Sequence, residues 1–212
     1  MSDSAGRVIA GTARGTRLAA PGPVTRPLGD RVKQTLFAIL EPSLPGANVL
    51  DLFAGSGAGG IEALSRGAAR ATFVERDGTA AATISDNLTR TRLADRGHIA
   101  RADVMAYLQG RAATDGPFDL VLVDPPYADA GMMGATLARL GSDGPRLVTP
   151  GAWVVAKHFW RTAPPEVAGL LASVRTRRFG ETALTFYRPA DQTLPDGESA
   201  ENVTSDRSAS ED

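Results

Sequence analysis

Apolar residues along the chain fall into short blocks that switch between two periods. Residues 30–40 place Val32, Leu36, Ile39 and Leu40 on one face of a 3.6-residue repeat, with Asp30 as the expected N-cap and Pro42 and Pro45 as terminators. From residue 48 the pattern becomes strand, helix, strand, helix. Residues 49–53 are an apolar run that breaks into glycines, and residues 61–66 read as a helix closed by Gly67. Residues 71–74 form a second strand ending at Glu75, followed by a helix from Asp77 to Arg90. A third strand starts at His98 and ends near Asp103. The most hydrophobic strand, residues 118–123, runs directly into Asp124-Pro125-Pro126-Tyr127. Residues 152–156 are a fifth strand, and residues 175–179 and 182–187 close the chain as an antiparallel hairpin around Gly180-Glu181. Strands alternating with helices predict an α/β fold, a Rossmann-like and mostly parallel open sheet.

The two ends differ from this body. Residues 1–29 are polar, rich in Gly and Pro, and basic through Arg7, Arg14, Arg17 and Arg26, with one short apolar stretch, Val8-Ile9-Ala10. Residues 191–212 carry seven acids against one base, with Leu194 and Val203 as their only large apolar residues. Such a tail cannot bury enough surface to offset its ordering entropy and is expected to be disordered. The chain therefore divides into a basic N-terminal extension and helix (1–45), a sheet domain (46–190) and an acidic tail (191–212). Removing the tail turns a net charge of −1 into a body of 22 basic and 17 acidic residues. That balance is compatible with a nucleic-acid partner, although 21 of the 23 basic residues are Arg, as a GC-rich genome also produces. The absence of Cys excludes disulfides, thiolate zinc sites and thiol catalysis, and two histidines, His98 and His158, are too few for most His-based metal sites. No metal is expected. No run of 18 apolar residues occurs and no signal peptide opens the chain, so a soluble, cytoplasmic protein is expected, and a monomer.

In open α/β sheets ligands sit beyond the carboxyl ends of the strands, and four such ends here carry acids or glycines. The first reads Asp51-Leu-Phe-Ala-Gly55-Ser-Gly57-Ala-Gly59-Gly60. Its glycines allow close approach of backbone N–H groups, and the following helix offers a positive N-terminus. Glu75, 24 residues beyond Asp51, is placed to accept from ribose hydroxyls. Asp103 follows the third strand. Gly55, Gly57 and Gly60 satisfy a dinucleotide fingerprint, but an acid four residues earlier would repel a pyrophosphate. It suits a ligand with a cationic amino acid end, such as S-adenosylmethionine, with Asp51 facing that end, Glu75 the ribose and Asp103 the adenine amine.

Asp124-Pro125-Pro126-Tyr127 suits methylation of an exocyclic base amine. The amine lone pair is delocalised into the ring, and two acceptors on its N–H bonds turn it toward the methyl. The Asp124 carboxylate and Pro125 carbonyl can serve, two prolines stiffen the loop, and Tyr127 offers a stacking surface. His158 and Lys157 tempt a base assignment, yet the amine can lose its proton after transfer, so a structural or phosphate-contact role fits His158 better. Trp153 and Trp160 read as core and rim. Arg175, Arg177 and Arg178 read equally as a solvated face or as phosphate contacts.

Together these motifs resemble the class I S-adenosylmethionine-dependent methyltransferases acting on base amino groups. Arg26-Pro27, Asp30-Arg31-Val32-Lys33, the segment from Val49 through Gly67, Arg7-Val-Ile-Ala-Gly-Thr-Ala-Arg14-Gly and the segment from Phe179 through Tyr187 resemble, more narrowly, the bacterial 16S ribosomal RNA guanine-N2 methyltransferase family. The likeness covers residues 7–188. It implies that Asp51, Gly55, Gly57, Glu75 and Asp103 contact the donor, with Phe53, Ser56, Arg76 and Val104 in the same site. It further implies that Asp124, Pro125, Pro126 and Tyr127 hold the guanine amine, that Arg14, Arg26, Asp30 and Arg31 line the RNA side, and that 16S RNA or the 30S particle is the partner. The chain departs from that pattern at Leu28, at Gly59 and at Lys157, where an acid is usual. Adenine-N6 or cytosine-N4 methylation, a dinucleotide-dependent oxidoreductase and a catalytically silent nucleic-acid module are the alternatives left by the motifs alone.

Overall fold

The central strand is β3 (Asn48–Leu52), every residue of which is buried, because a parallel strand covered on both faces has no solvent side. A computed structural model describes residues 4–22, 29–126, 130–142 and 146–190. After a small antiparallel pair, β1 (Ser4–Arg7) and β2 (Arg17–Ala19), come α1 (Asp30–Leu40) and β3. There follow α2 (Ala58–Ser65), β4 (Arg70–Val74), α3 (Gly78–Thr91), β5 (Gly97–Ala100), α4 (Val104–Gln109), the short α5 (Ala112–Asp115) and β6 (Phe118–Val123). The chain then runs through α6 (Ala130–Leu140), β7 (Val148–Phe159), β8 (Val167–Ala168), β9 (Leu171–Phe179) and β10 (Thr182–Pro189).

The eight-stranded sheet has the order β5-β4-β3-β6-β7-β10-β9-β8. Pairings from β5 to β7 are parallel, and those of β10 with β7 and β9, and of β9 with β8, are antiparallel. The α/β Rossmann-like sheet with a C-terminal antiparallel hairpin is therefore present. Strand order reverses between β3 and β6, which opens a crevice at their carboxyl ends. The fifth strand, expected over residues 152–156, runs longer, because β10 pairs along it as far as Phe159.

Two apolar layers sandwich the sheet. One joins Leu36, Phe37 and Leu40 of α1 to Val49, Phe73, Leu122, Val155 and Phe186, and the same cluster holds Ala5, Val8, Ala13 and Leu18. The N-terminal segment thus shares one core with the sheet. Its docking is polar as well. The fully buried Glu62 of α2 accepts from the N–H groups of Ile9 (2.8 Å) and Ala10 (3.0 Å) and from the Arg66 guanidinium (2.8 Å). Ser65 donates to the Ala10 carbonyl, and buried Asn87 of α3 bonds both the N–H and the carbonyl of Ala19. Asp30 does not cap α1. It is the first helical residue after Gly29, and its carboxylate is taken by Arg7 at 3.1 Å. No helix among the described residues is long and apolar enough to cross a membrane. The acidic tail, Arg26 and Tyr127 lie outside the described residues.

Candidate active site

The carboxyl ends of β3, β4, β6 and β7 converge on one cavity of about 1140 Å³. Asp51, Phe53, Gly55, Ser56, Glu75, Arg76, Asp103, Val104, Asp124, Pro125 and Pro126 all line it. The N-terminal segment contributes Ala5, Pro21 and Gly22 to its wall, and α1 contributes Leu36. Gly57 is not on the lining, and Arg14 and Arg31 are exposed elsewhere on the surface.

Each acid is held differently. Asp51 is 5% exposed, and its carboxylate accepts from the Gly60 N–H at 2.8 Å. No cation among the described residues pairs with it. Burial, with the nearby Asp124 and Glu75 charges and against the Gly60 bond, raises its pKa to about 7. Glu75 spans the mouth of the glycine loop, accepting from Gly55 N–H with one oxygen and Asp77 N–H with the other, both at 2.9 Å. Asp103 caps α4 by accepting from the Met105 and Ala106 N–H groups through one oxygen, which leaves the second for a ligand.

The glycine loop works by packing more than by donating. The N–H groups of Gly55, Gly57 and Gly60 are taken by Glu75, the Ala54 carbonyl and Asp51. Each of these three groups has an internal partner, while Gly55 still lines the cavity. A Cβ at Gly60 would come within 2.4 Å of the Phe73 ring, so the glycine is what lets α2 lie against β4. A Cβ at Gly59 would meet Leu122 at 2.7 Å and the Asp51 carboxylate at 3.2 Å, which explains why no larger residue stands there. Phe53 holds a left-handed φ of 59°, a conformation costly for a residue with a Cβ and common where a loop wraps a ligand.

At the other end Asp124 follows β6 and meets Lys157 of β7. The ammonium lies 2.7 and 2.8 Å from its two oxygens. Desolvation raises the Asp124 pKa, and the Lys157 charge pulls it back part of the way. His158, the next residue, points to the opposite sheet face, where its ring nitrogens meet Thr185 Oγ1 and the Phe159 carbonyl, both at 2.9 Å. It is structural. Sequence reasoning missed Glu62 and Asn87. The signal for Glu62 was a lone acid between Ile61 and Ala63-Leu64 in an apolar helix. Asn87 also bonds the Ser56 carbonyl, tying α3 to the glycine loop, and nothing in its local sequence marks it.

The model of the Conserved hypothetical protein 95 family matches residues 6–188. The chain is 36% identical over 183 residues to a putative rRNA methyltransferase, YlbH, of Bacillus subtilis, covering 86% of this chain and 98% of that protein. It is 40% identical over 139 residues to ribosomal RNA small subunit methyltransferase D of Escherichia coli, covering 65% of this chain and 68% of that one. The solved structure of the putative methyltransferase yhhF from Escherichia coli superposes with a TM-score of 0.73 at 33% identity, covering 86% of this chain and 97% of that one. A match across nearly the whole described chain, with relatives of the same kind in sequence and structure, leads to one conclusion: the chain belongs to the Conserved hypothetical protein 95 family, within the class I methyltransferases.

Proposed function

We propose that this protein transfers a methyl group from S-adenosylmethionine to the exocyclic N2 amine of a guanine in 16S ribosomal RNA. Relatives named for small-subunit ribosomal RNA methylation support the reaction class and the polymer. The observation that carries the reading is one cavity with a buried carboxylate, Asp51, that no cation among the described residues pairs with, at one end and Asp124-Pro125-Pro126 at the other.

The donor set fits S-adenosylmethionine. Asp51, with no paired cation among the described residues, would hold the ammonium end, Glu75 the ribose hydroxyls and Asp103 the adenine amine. When bound, S-adenosylmethionine supplies an electrophilic methyl on a sulfonium. At the other end Asp124 accepts one N–H of the base amine. An ionised carboxylate has about four lone-pair sites, so the Lys157 contacts leave room for it. The Pro125 carbonyl accepts the second N–H, and the two bonds turn the lone pair out of conjugation. The prolines hold both oxygens in place, and Tyr127 stacks on the extruded base. The methylated nitrogen then releases its proton to Asp124 or to water. Positioning is the main contribution, worth about 7–11 kcal/mol in favourable intramolecular cases.

Nucleoside mass spectrometry after incubation with labelled S-adenosylmethionine and undermodified 30S particles, 16S RNA or DNA tests the reading. The expected product is labelled N2-methylguanosine in RNA alone; label in methyladenine or methylcytosine overturns the assigned base. Asp124→Ala is expected to bind donor normally in calorimetry and to lose transfer, and equal loss of both would remove its role at the amine.

A further inference from the structure

We propose that the RNA backbone beside the target nucleotide is held on the sheet face of β9 by Arg175 and Arg177, in line with the Asp124–Lys157 end of the cavity; this rests on the RNA reading above. Residues directly opposite one another on adjacent strands share a face. The register pairs Lys157 with Leu184 and Leu184 with Arg177, and one step back pairs Val155 with Phe186 and Phe186 with Arg175. Lys157 and Leu184 line the cavity, so Arg177 continues the same row outward. With strands about 4.8 Å apart, its Cα stands about 10 Å from that of Lys157.

Among the described residues this face is open. From Val174 to Arg178 every residue of β9 is exposed, and β8 pairs only as far as Ala172. Beyond the β9–β10 ladder, no side-chain ion pair or hydrogen bond engages Arg175 or Arg177 among the described residues. The neighbouring cation on the other face behaves differently: Arg178 lies 3.5 Å from the Trp160 ring centroid and donates to the Gly180 carbonyl. Two guanidinium forks on one face, without a side-chain partner among the described residues and leading to a site for an extruded base, match the charge and planar geometry of phosphate. The competing account is that charge merely guards an edge strand against pairing with other chains.

The test uses the full chain, with 16S RNA as the probe, in binding titrations across a range of salt and in methyl-transfer kinetics. Two single-strand phosphate contacts contribute about 1.4 to the slope of log K against log salt. Between about 50 and about 200 mM salt this amounts to about a sevenfold change in affinity. Arg175→Ala/Arg177→Ala is expected to lose that share of the slope and to raise KM for RNA several-fold. The kcat and S-adenosylhomocysteine binding should stay unchanged, the latter also reporting a folded protein. Arg178→Ala, which removes one charge from the opposite face, is expected to keep the wild-type slope, whereas Arg175→Ala or Arg177→Ala alone should lose about half of the double variant's share. A double variant with wild-type slope and KM, or one that changes only self-association, overturns the surface while leaving the methyltransferase reading intact. A slope change in Arg178→Ala equal to that of Arg175→Ala or Arg177→Ala alone overturns it too, by showing that net charge alone matters. The titrations are repeated on undermodified 30S particles, and wild-type protein without salt-dependent affinity for either probe removes both readings.

Discussion

Replacing Asp51 with Asn should stabilise the protein and weaken donor binding at the same time. Asp51 is almost fully buried, feels the charges of Asp124 and Glu75, and pairs with no cation among the described residues. Its pKa rises from 3.8 in the unfolded chain to about 7 in the folded protein. At about 1.4 kcal/mol per tenfold, that rise corresponds to an upper bound of about 4 kcal/mol. For a carboxyl raised on folding, the folded state holds a proton that the unfolded chain releases. Stability is therefore lost as pH rises from about 4 through about 7, and the full penalty applies above that range. Asn carries no charge, and its carbonyl oxygen can still accept from Gly60 N–H. Allowing half of the bound for water reaching the cavity, Asp51→Asn should gain about 2 kcal/mol at pH 8, or roughly 4–8 °C in Tm for a domain of this size. The gain should shrink toward pH 4. A cationic donor favours the ionised carboxylate, so wild-type affinity should fall up to about tenfold per pH unit below about 7, and the variant should lose this dependence. Thermal melts at pH 4 and 8, with calorimetry of S-adenosylmethionine between pH 5.5 and 7.5, measure both. A variant that melts below wild type at pH 8, or a wild-type affinity flat with pH, would show that the buried Asp51 charge carries no such penalty.

Two further predictions follow from other contacts. Lys157→Met leaves Asp124 without the charge that lowers its pKa, so the acid limb of the kcat profile should move to higher pH while donor binding is retained; an unshifted profile would show that the ion pair does not control Asp124. Asn87→Ala strands the Ala19 N–H and the Ser56 carbonyl, and should cost about 2–4 kcal/mol in denaturant unfolding, whereas a loss under about 0.5 kcal/mol would mean water replaces those bonds.

Much of the fold is local and therefore legible along the chain. The runs at Val49, Ala71 and Phe118 are strands because apolar residues between turn signals are buried on both sheet faces, and Asp77 starts α3 by accepting from the Ala80 N–H. Acids and glycines at strand ends reach a common cavity because all parallel strands of an α/β sheet end on one side. The register of the closing hairpin is equally local, set by the turn at Gly180-Glu181.

Tertiary structure decided everything that links distant positions. Asp30 reads as a cap from its neighbours alone, but Arg7, 23 residues earlier, takes its carboxylate. Residues 4–22 carry only three large apolar side chains, Val8, Ile9 and Leu18, and their docking also relies on Glu62 and Asn87, 52 to 68 residues away, which satisfy their backbone groups. Lys157 reads as a departure from a pattern until strand order brings β7 beside β6, where its ammonium meets Asp124. Periodicity and punctuation report backbone preferences over a few residues. Partners for buried charges depend on which strands become neighbours, and only the closed core determines that order.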